Sequence, residues 1–209
     1  MVFSNIDNFF GTLNANCEYV ILRNWDGIIN NLNKGEDIDV LVRDKKTLID
    51  IIDAIPKYKD KHKANYYFVV QNHKYRIDIR YVGDGYYPIS WERSFIENRI
   101  YNKDINAYVL NETDHYYALL YHSIIQKPEL TNKYLNRLCK LTGKEMTQDQ
   151  FVEDLRDKLK NSNAFISLPE DCGVYVNTEI IKNNNLPHQF YMFDVIKRNI
   201  RKFVFKIHK

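Results

Sequence analysis

The chain has 209 residues, of which 44% are hydrophobic, 14% aromatic and 27% charged. This composition is typical of a globular protein with one large domain or two small ones, and it excludes a disordered or fibrous chain. Thirty Lys plus Arg against 27 Asp plus Glu leave a formal charge of +3, a surplus too small to favour a nucleic acid as the partner.

The cysteines and the N-terminal residues indicate where the protein works. The three cysteines, Cys17, Cys139 and Cys172, are odd in number and widely spaced, so they predict neither a disulfide framework nor a CxxC site. The first residues lack the basic and apolar segments of a signal peptide, and no apolar run approaches the roughly 18 residues of a membrane-spanning helix. We therefore expect a cytoplasmic location, at the membrane surface only if the C-terminal residues bind lipid.

The first half of the chain alternates helical and strand patterns. Apolar spacing, β-branched runs and turn residues define the elements. In chain order they are a helix capped by Ser4, a strand over 18–23, a polar loop over 26–34, a strand over 37–42 (DIDVLV), a helix over 45–55 ended by Pro56, and two hairpin strands over 66–70 and 75–81 joined by the four-residue loop 71–74.

The second half is mostly helical in pattern. Its predicted elements are helices over 111–127, 132–141 and 148–159, a loop over 161–186 with a short strand over 174–176, and a helix from about His188. We therefore predict an α/β (α+β) fold with a small mixed sheet in residues 1–110, followed by a mostly helical domain in residues 111–209.

Three aspartates in two predicted strands carry the clearest chemical signal. Asp37 and Asp39 point to one face of their strand because residues two apart on a strand share a face. Asp78, in the later strand, can add a third carboxylate. Carboxylates grouped in this way can hold a pair of hard cations such as Mg²⁺, which activate a hydroxyl and stabilise a phosphoryl leaving group.

The apolar neighbours of these aspartates support a rigid site. Ile38, Val40 and Ile79 are expected to anchor the opposite faces of the two strands in the core. The alternative interpretation is that alternating Asp residues mark the solvent face of an edge strand.

These motifs resemble the nucleotidyltransferase-fold superfamily, which includes DNA polymerase beta, the small aminoglycoside nucleotidyltransferases and the choline-phosphate and fukutin-type transferases. The resemblance covers residues 18–82 and rests on YVILRN at 19–24, DIDVLV at 37–42 and Asp78. It implies a mixed sheet of nucleotidyltransferase type, with Asp37 and Asp39 binding a pair of Mg²⁺ or Mn²⁺ ions. It also implies that Asp78 ligates the catalytic ion and helps to deprotonate the acceptor hydroxyl. The pattern further looks like uncharacterised proteins of bacterial or large-virus surface-polysaccharide loci.

The phosphate-binding residues depart from the family pattern. Where the family usually has Gly-Ser or Gly-Gly after its first strand, this chain has Arg23-Asn24-Trp25-Asp26-Gly27. Arg23 can contact phosphate with two parallel bonds and Asn24 can donate its amide. Arg76 and Arg80 alternate with the third aspartate and share its face. They either hold donor phosphates or neutralise the carboxylates as structural ion pairs.

Residues 190–209 form a predicted basic amphipathic helix. One side carries Phe190, Phe193, Ile200, Phe203 and Ile207, and the other carries most of Lys197, Arg198, Arg201, Lys202, Lys206 and Lys209. Such a helix binds anionic lipid or another polyanion, or it packs its phenylalanine side on the protein.

We therefore expect a metal-dependent transferase that moves a nucleotidyl or substituted phosphoryl group from a nucleotide donor to a hydroxyl of a small molecule or glycan. The alternative is a catalytically inactive member of the same fold that serves as a binding module. Action on nucleic acid is disfavoured by the small net charge.

Overall fold

A computed structural model of the chain describes residues 2–60 and 62–207, with the backbone alone for residues 204–207. The chain divides into two compact units. The first comprises Met1–Gly83 and Glu92–Asn111, and the second comprises Asp84–Trp91 and Glu112–Lys209. The predicted mixed α/β class is confirmed, whereas the division into independent domains at residue 110 stays a prediction.

A mixed β-sheet forms the centre of the first unit. Within the described residues its strands are β1 (Tyr19–Arg23), β2 (Asp37–Val42), β3 (Ile55–Pro56), β4 (Asn65–Val70), β5 (His73–Tyr81), β6 (Ile100–Asn102) and β7 (Ala107–Val109). They lie in the order β3-β4-β5-β2-β1-β7-β6. β2 therefore lies in the middle of the sheet, parallel to β5 and antiparallel to β1.

The helices of the first unit share one hydrophobic core with the sheet. They are α1 (Ile6–Asn16), α2 (Ile28–Asn33) and α3 (Lys45–Ile52). Ile38, Val40 and Ile79 are buried in this core together with apolar residues of all three helices, as predicted. Because strand residues alternate between faces, Asp37 and Asp39 occupy the face opposite this core.

Three local predictions in the first unit are wrong. Asn5, not Ser4, caps α1, because its side chain accepts a hydrogen bond from the Asn8 amide at 2.7 Å. The predicted loop 26–34 contains α2, whose buried residues Ile28 and Leu32 lie one turn apart. α3 ends at Ile52 and not at residue 55, because Asp53 adopts a left-handed backbone with φ of 51°.

The hairpin turn is shorter than predicted. Val70 lies opposite His73, so the loop has two residues and not four. Gln71 and Asn72 take φ values of 48° and 68°, the positive values that a two-residue hairpin turn of type I′ requires. This turn fixes the register of β4 against β5.

The second unit is helical. Its helices are α5 (Glu112–Ile125), α6 (Asn132–Thr142), α7 (Gln148–Asn161), α8 (Thr178–Asn183) and α9 (Met192–Ile207), while α4 (Ile89–Glu97) contains the point at which the chain divides. The predicted strand at 174–176 is absent from this described segment, the predicted loop 161–186 contains α8, and α9 begins after His188. Among the described residues, no helix is both long and apolar enough to cross a membrane.

We expect truncation of a helical side chain to lower the free energy of unfolding in proportion to the burial of that side chain. Ile52 is fully buried in α3, whereas Ile29 in α2 is 50% exposed. Ile52→Ala should lower the free energy of unfolding by about 2–5 kcal/mol, because it removes buried methyl groups and leaves a cavity. Ile29→Ala is the matched control and should change it by less than about 0.5 kcal/mol. Denaturant unfolding measures both, and equal effects would contradict the assigned burial.

Candidate functional site

The pairing of β2 with β5 brings the predicted aspartates onto one face of the sheet. The two strands are parallel and in register, with Asp39 opposite Asp78 and Asp37 opposite Arg76. Neighbouring strands are about 4.8 Å apart, so Asp39 and Asp78 start from adjacent backbone positions. Because β2 has a strand on each side, the edge-strand interpretation of its aspartates is wrong.

Arg23 reaches Asp39 because β1 is irregular. Ile21 lies opposite Val40, yet Arg23 lies opposite Asp39, so Leu22 is an extra residue in the pairing. In a regular strand Arg23 would share the core face with Ile21. The irregularity moves it to the opposite face, which carries Asp37, Asp39 and Asp78 and which we call the acidic face. There Arg23 Nη2 donates to Asp39 Oδ1 at 2.6 Å.

Asp78 has a partner that the sequence analysis missed. Asn65, opposite Asp78 on β4, donates from Nδ2 to Asp78 Oδ1 at 2.6 Å. A polar row, defined as Arg23, Asp39, Asp78 and Asn65, therefore crosses four adjacent strands. Arg23 on β1 binds Asp39 on β2, and Asn65 on β4 binds Asp78 on β5. Each carboxylate therefore has its partner on the side away from the other carboxylate. A two-residue hairpin turn would have predicted this position of Asn65.

Burial and mutual repulsion raise the free-energy cost of ionising the aspartates of the acidic face. Asp39 is 7% exposed, and its burial raises its pKa against the opposing effect of Arg23. Burial, followed by the negative charges of Asp39 and Asp37, raises the pKa of Asp78 to about 6. Arg80 lies close enough to lower the pKa of both Asp39 and Asp78. The aspartates therefore favour any positive charge brought to this face.

The other predicted contact residues are placed differently. Arg80 is only 6% exposed and belongs to the acidic face, while Arg76 donates from Nη2 to the carbonyl of Gly35. Asn24 lies at an exposed position directly after Arg23 with φ of 59°, and its carbonyl accepts a hydrogen bond from Asn31. The structure thus brings Arg23 and Arg80 to the aspartates and leaves Asn24 at the surface.

The acidic face fits a hard cation in its chemistry, because carboxylate oxygens are the ligands that Mg²⁺ and Mn²⁺ prefer. Within residues 2–60 and 62–207, however, no group of three or more His, Cys, Asp or Glu residues is arranged to hold a metal ion. The two carboxylates of the polar row are instead bound by Arg23 and Asn65. A metal site at Asp37, Asp39 and Asp78 therefore requires these bonds to be exchanged.

The raised pKa of Asp78 predicts a stabilising substitution. A native pKa of about 6 lies above the ordinary value of 3.8, so the native state binds this proton more tightly than the unfolded chain does. The free energy of unfolding therefore falls as the pH rises through about 4 to 6. Asp78→Asn keeps an oxygen acceptor for Asn65 and should raise that free energy by about 1–3 kcal/mol near pH 7.

The gain of Asp78→Asn should be almost lost at about pH 3, where the wild-type carboxyl is mostly protonated in both the native and the unfolded state. Asp50→Asn, at an exposed position of α3, is the control with the same change of charge. Denaturant unfolding at both pH values makes the comparison. Destabilisation by Asp78→Asn at neutral pH would contradict the assigned burial of this carboxylate.

Comparison with known proteins adds no family to this description. No protein-family model matches the chain, and no curated protein and no solved structure matches it.

Proposed function

We propose that the protein is a metal-dependent transferase that moves a nucleotidyl or substituted phosphoryl group from a nucleotide donor to a hydroxyl group. The observation that carries the proposal is the in-register pairing that aligns Asp39 with Asp78, with Asp37 on the same face. The resemblance of residues 18–82 to the nucleotidyltransferase-fold superfamily supports it. The acceptor that we propose is a small molecule or a glycan, as in polysaccharide biosynthesis.

The three aspartates have the properties that a cation site of this kind needs. Asp37, Asp39 and Asp78 would hold Mg²⁺ or Mn²⁺, and their strands are anchored from the opposite face by the hydrophobic core. When bound, the cation supplies positive charge to the phosphoryl group and to its leaving oxygen. Exchange of the Arg23–Asp39 bond would release Arg23 to contact the donor phosphates, a role that its planar guanidinium suits.

Asp78 is suited to accept the proton of the acceptor hydroxyl. In the metal-free site a carboxyl group with a pKa of about 6 is largely ionised at neutral pH, so Asp78 can take up a proton. A bound cation would keep this carboxylate ionised, because its positive charge lowers the pKa. The acceptor oxygen would form its bond to phosphorus as the bond to the leaving phosphate breaks, while the hydroxyl proton passes to Asp78. Arg80, buried beside the aspartates, would hold negative charge on the donor.

A second candidate function is a catalytically inactive binding module of the same fold. The observation that favours it is the ion pair itself, because Arg23 already neutralises Asp39 at 2.6 Å and so takes the place of a cation. With this function the Arg23–Asp39 ion pair is permanent, and the polar row serves only to stabilise buried carboxylates in the sheet.

Titration calorimetry with Mn²⁺ and a panel of nucleoside triphosphates separates the two functions. The transferase proposal predicts saturable Mn²⁺ binding that Asp39→Asn and Asp78→Asn each weaken by about tenfold or more, because each removes a charged ligand. Nucleotide binding should be stronger with Mn²⁺ than without it. Asp50→Asn, outside the acidic face, should bind as the wild type does.

If the wild-type protein binds no Mn²⁺ and any heat of nucleotide binding is the same with and without metal, the transferase proposal fails. The inactive module would then be the better account.

A further inference from the structure

Helix α9 carries its apolar residues on an exposed side. Phe193 and Phe203 are 62% and 65% exposed, and Ile196 and Ile200 between them are also exposed. These four residues, which we call the apolar stripe, follow one another at intervals of three and four residues and therefore lie along one side of the helix. A contiguous row of this kind marks an interaction surface, whereas single exposed apolar residues do not.

The opposite side of α9 is attached to the second unit. Arg198 donates three hydrogen bonds to main-chain carbonyls, at 2.6 Å to Pro169, 2.8 Å to Asp171 and 2.7 Å to Val174. Helical geometry places Arg198 on the side away from the apolar stripe. The interpretation in which the phenylalanine side packs on the protein is therefore wrong for Phe193 and Phe203, and the half-buried Phe190 precedes the helix. The side chains of Lys206 and Ile207, and Lys209, lie outside the described residues.

Positive charge borders the apolar stripe. Lys197 lies at the edge of the stripe, and its ammonium group sits 4.4 Å from the centre of the Phe193 ring. After Asp194 the sequence of α9 contains no acidic residue. A second copy of the helix would bring like charges together along this edge, whereas an anionic lipid surface offers the complementary charge.

We propose that α9 is a membrane-surface helix that binds anionic lipid. The apolar stripe lies at the boundary between head groups and acyl chains, and Lys197 contacts the lipid phosphates. Arg198 holds the helix on its own unit, so the stripe is presented without unfolding. The proposal does not depend on the chemistry of the acidic face.

Co-sedimentation of the full chain with vesicles tests this role. The protein should pellet with vesicles of phosphatidylcholine mixed with phosphatidylglycerol and remain in the supernatant with phosphatidylcholine alone. Added salt should release it, because salt screens the attraction to lipid phosphate. Ile200→Gln should lower the partition coefficient by about tenfold, since it removes one buried aliphatic side chain from the lipid contact.

Two further variants control for folding and for general hydrophobicity. Ile89→Gln makes the same change at an isoleucine that is 50% exposed outside the stripe, against 59% for Ile200, and should leave binding unchanged. Lys197→Gln should weaken binding to the anionic vesicles without loss of helical circular dichroism. The proposal is overturned if the wild type pellets with neither vesicle. It is equally overturned if the wild type is a dimer in solution that Ile200→Gln converts to a monomer, which would assign the stripe to a second copy.

Discussion

The in-register pairing of β2 with β5 is the constraint on which the rest of the first unit depends. It aligns Asp39 with Asp78 in the middle of a sheet whose opposite face is a hydrophobic core. Two carboxylates in such a position repel each other and are poorly solvated, so the pKa of both is raised. The fold is stable only if positive charge or hydrogen-bond donors come to the same face.

The neighbouring strands supply these partners. The irregularity in β1 turns Arg23 away from the core and onto Asp39, and β4 brings Asn65 to Asp78. Arg80 adds a buried positive charge beside both. The partners that stabilise the metal-free fold are thus competitors of a cation for the same oxygens. In our account, catalysis requires the cation to displace these partners from the carboxylate oxygens when a donor nucleotide brings further negative charge.

The elements of this site could be predicted to different extents from the sequence. The alternation of DIDVLV at 37–42 identifies β2 and the shared face of its aspartates, and a similar pattern identifies Asp78. The hairpin register could not be predicted from strand patterns, because a four-residue loop would place Tyr67 and not Asn65 opposite Asp78. Nothing in the sequence marks Leu22 as an extra residue. The amphipathic pattern of α9 predicts an apolar side and a basic side. Which side contacts the second unit depends on the hydrogen bonds from Arg198 to three main-chain carbonyls, which the sequence pattern does not reveal.

Anomalous diffraction from crystals grown with Mn²⁺ and a non-hydrolysable nucleoside triphosphate tests the central claim most directly. Our account predicts an anomalous peak for Mn²⁺ within bonding distance of carboxylate oxygens of Asp39 and Asp78. It also predicts loss of the 2.6 Å contact between Arg23 and Asp39. An intact Arg23–Asp39 contact in crystals that contain bound nucleotide, with no Mn²⁺ peak at the acidic face, would contradict it.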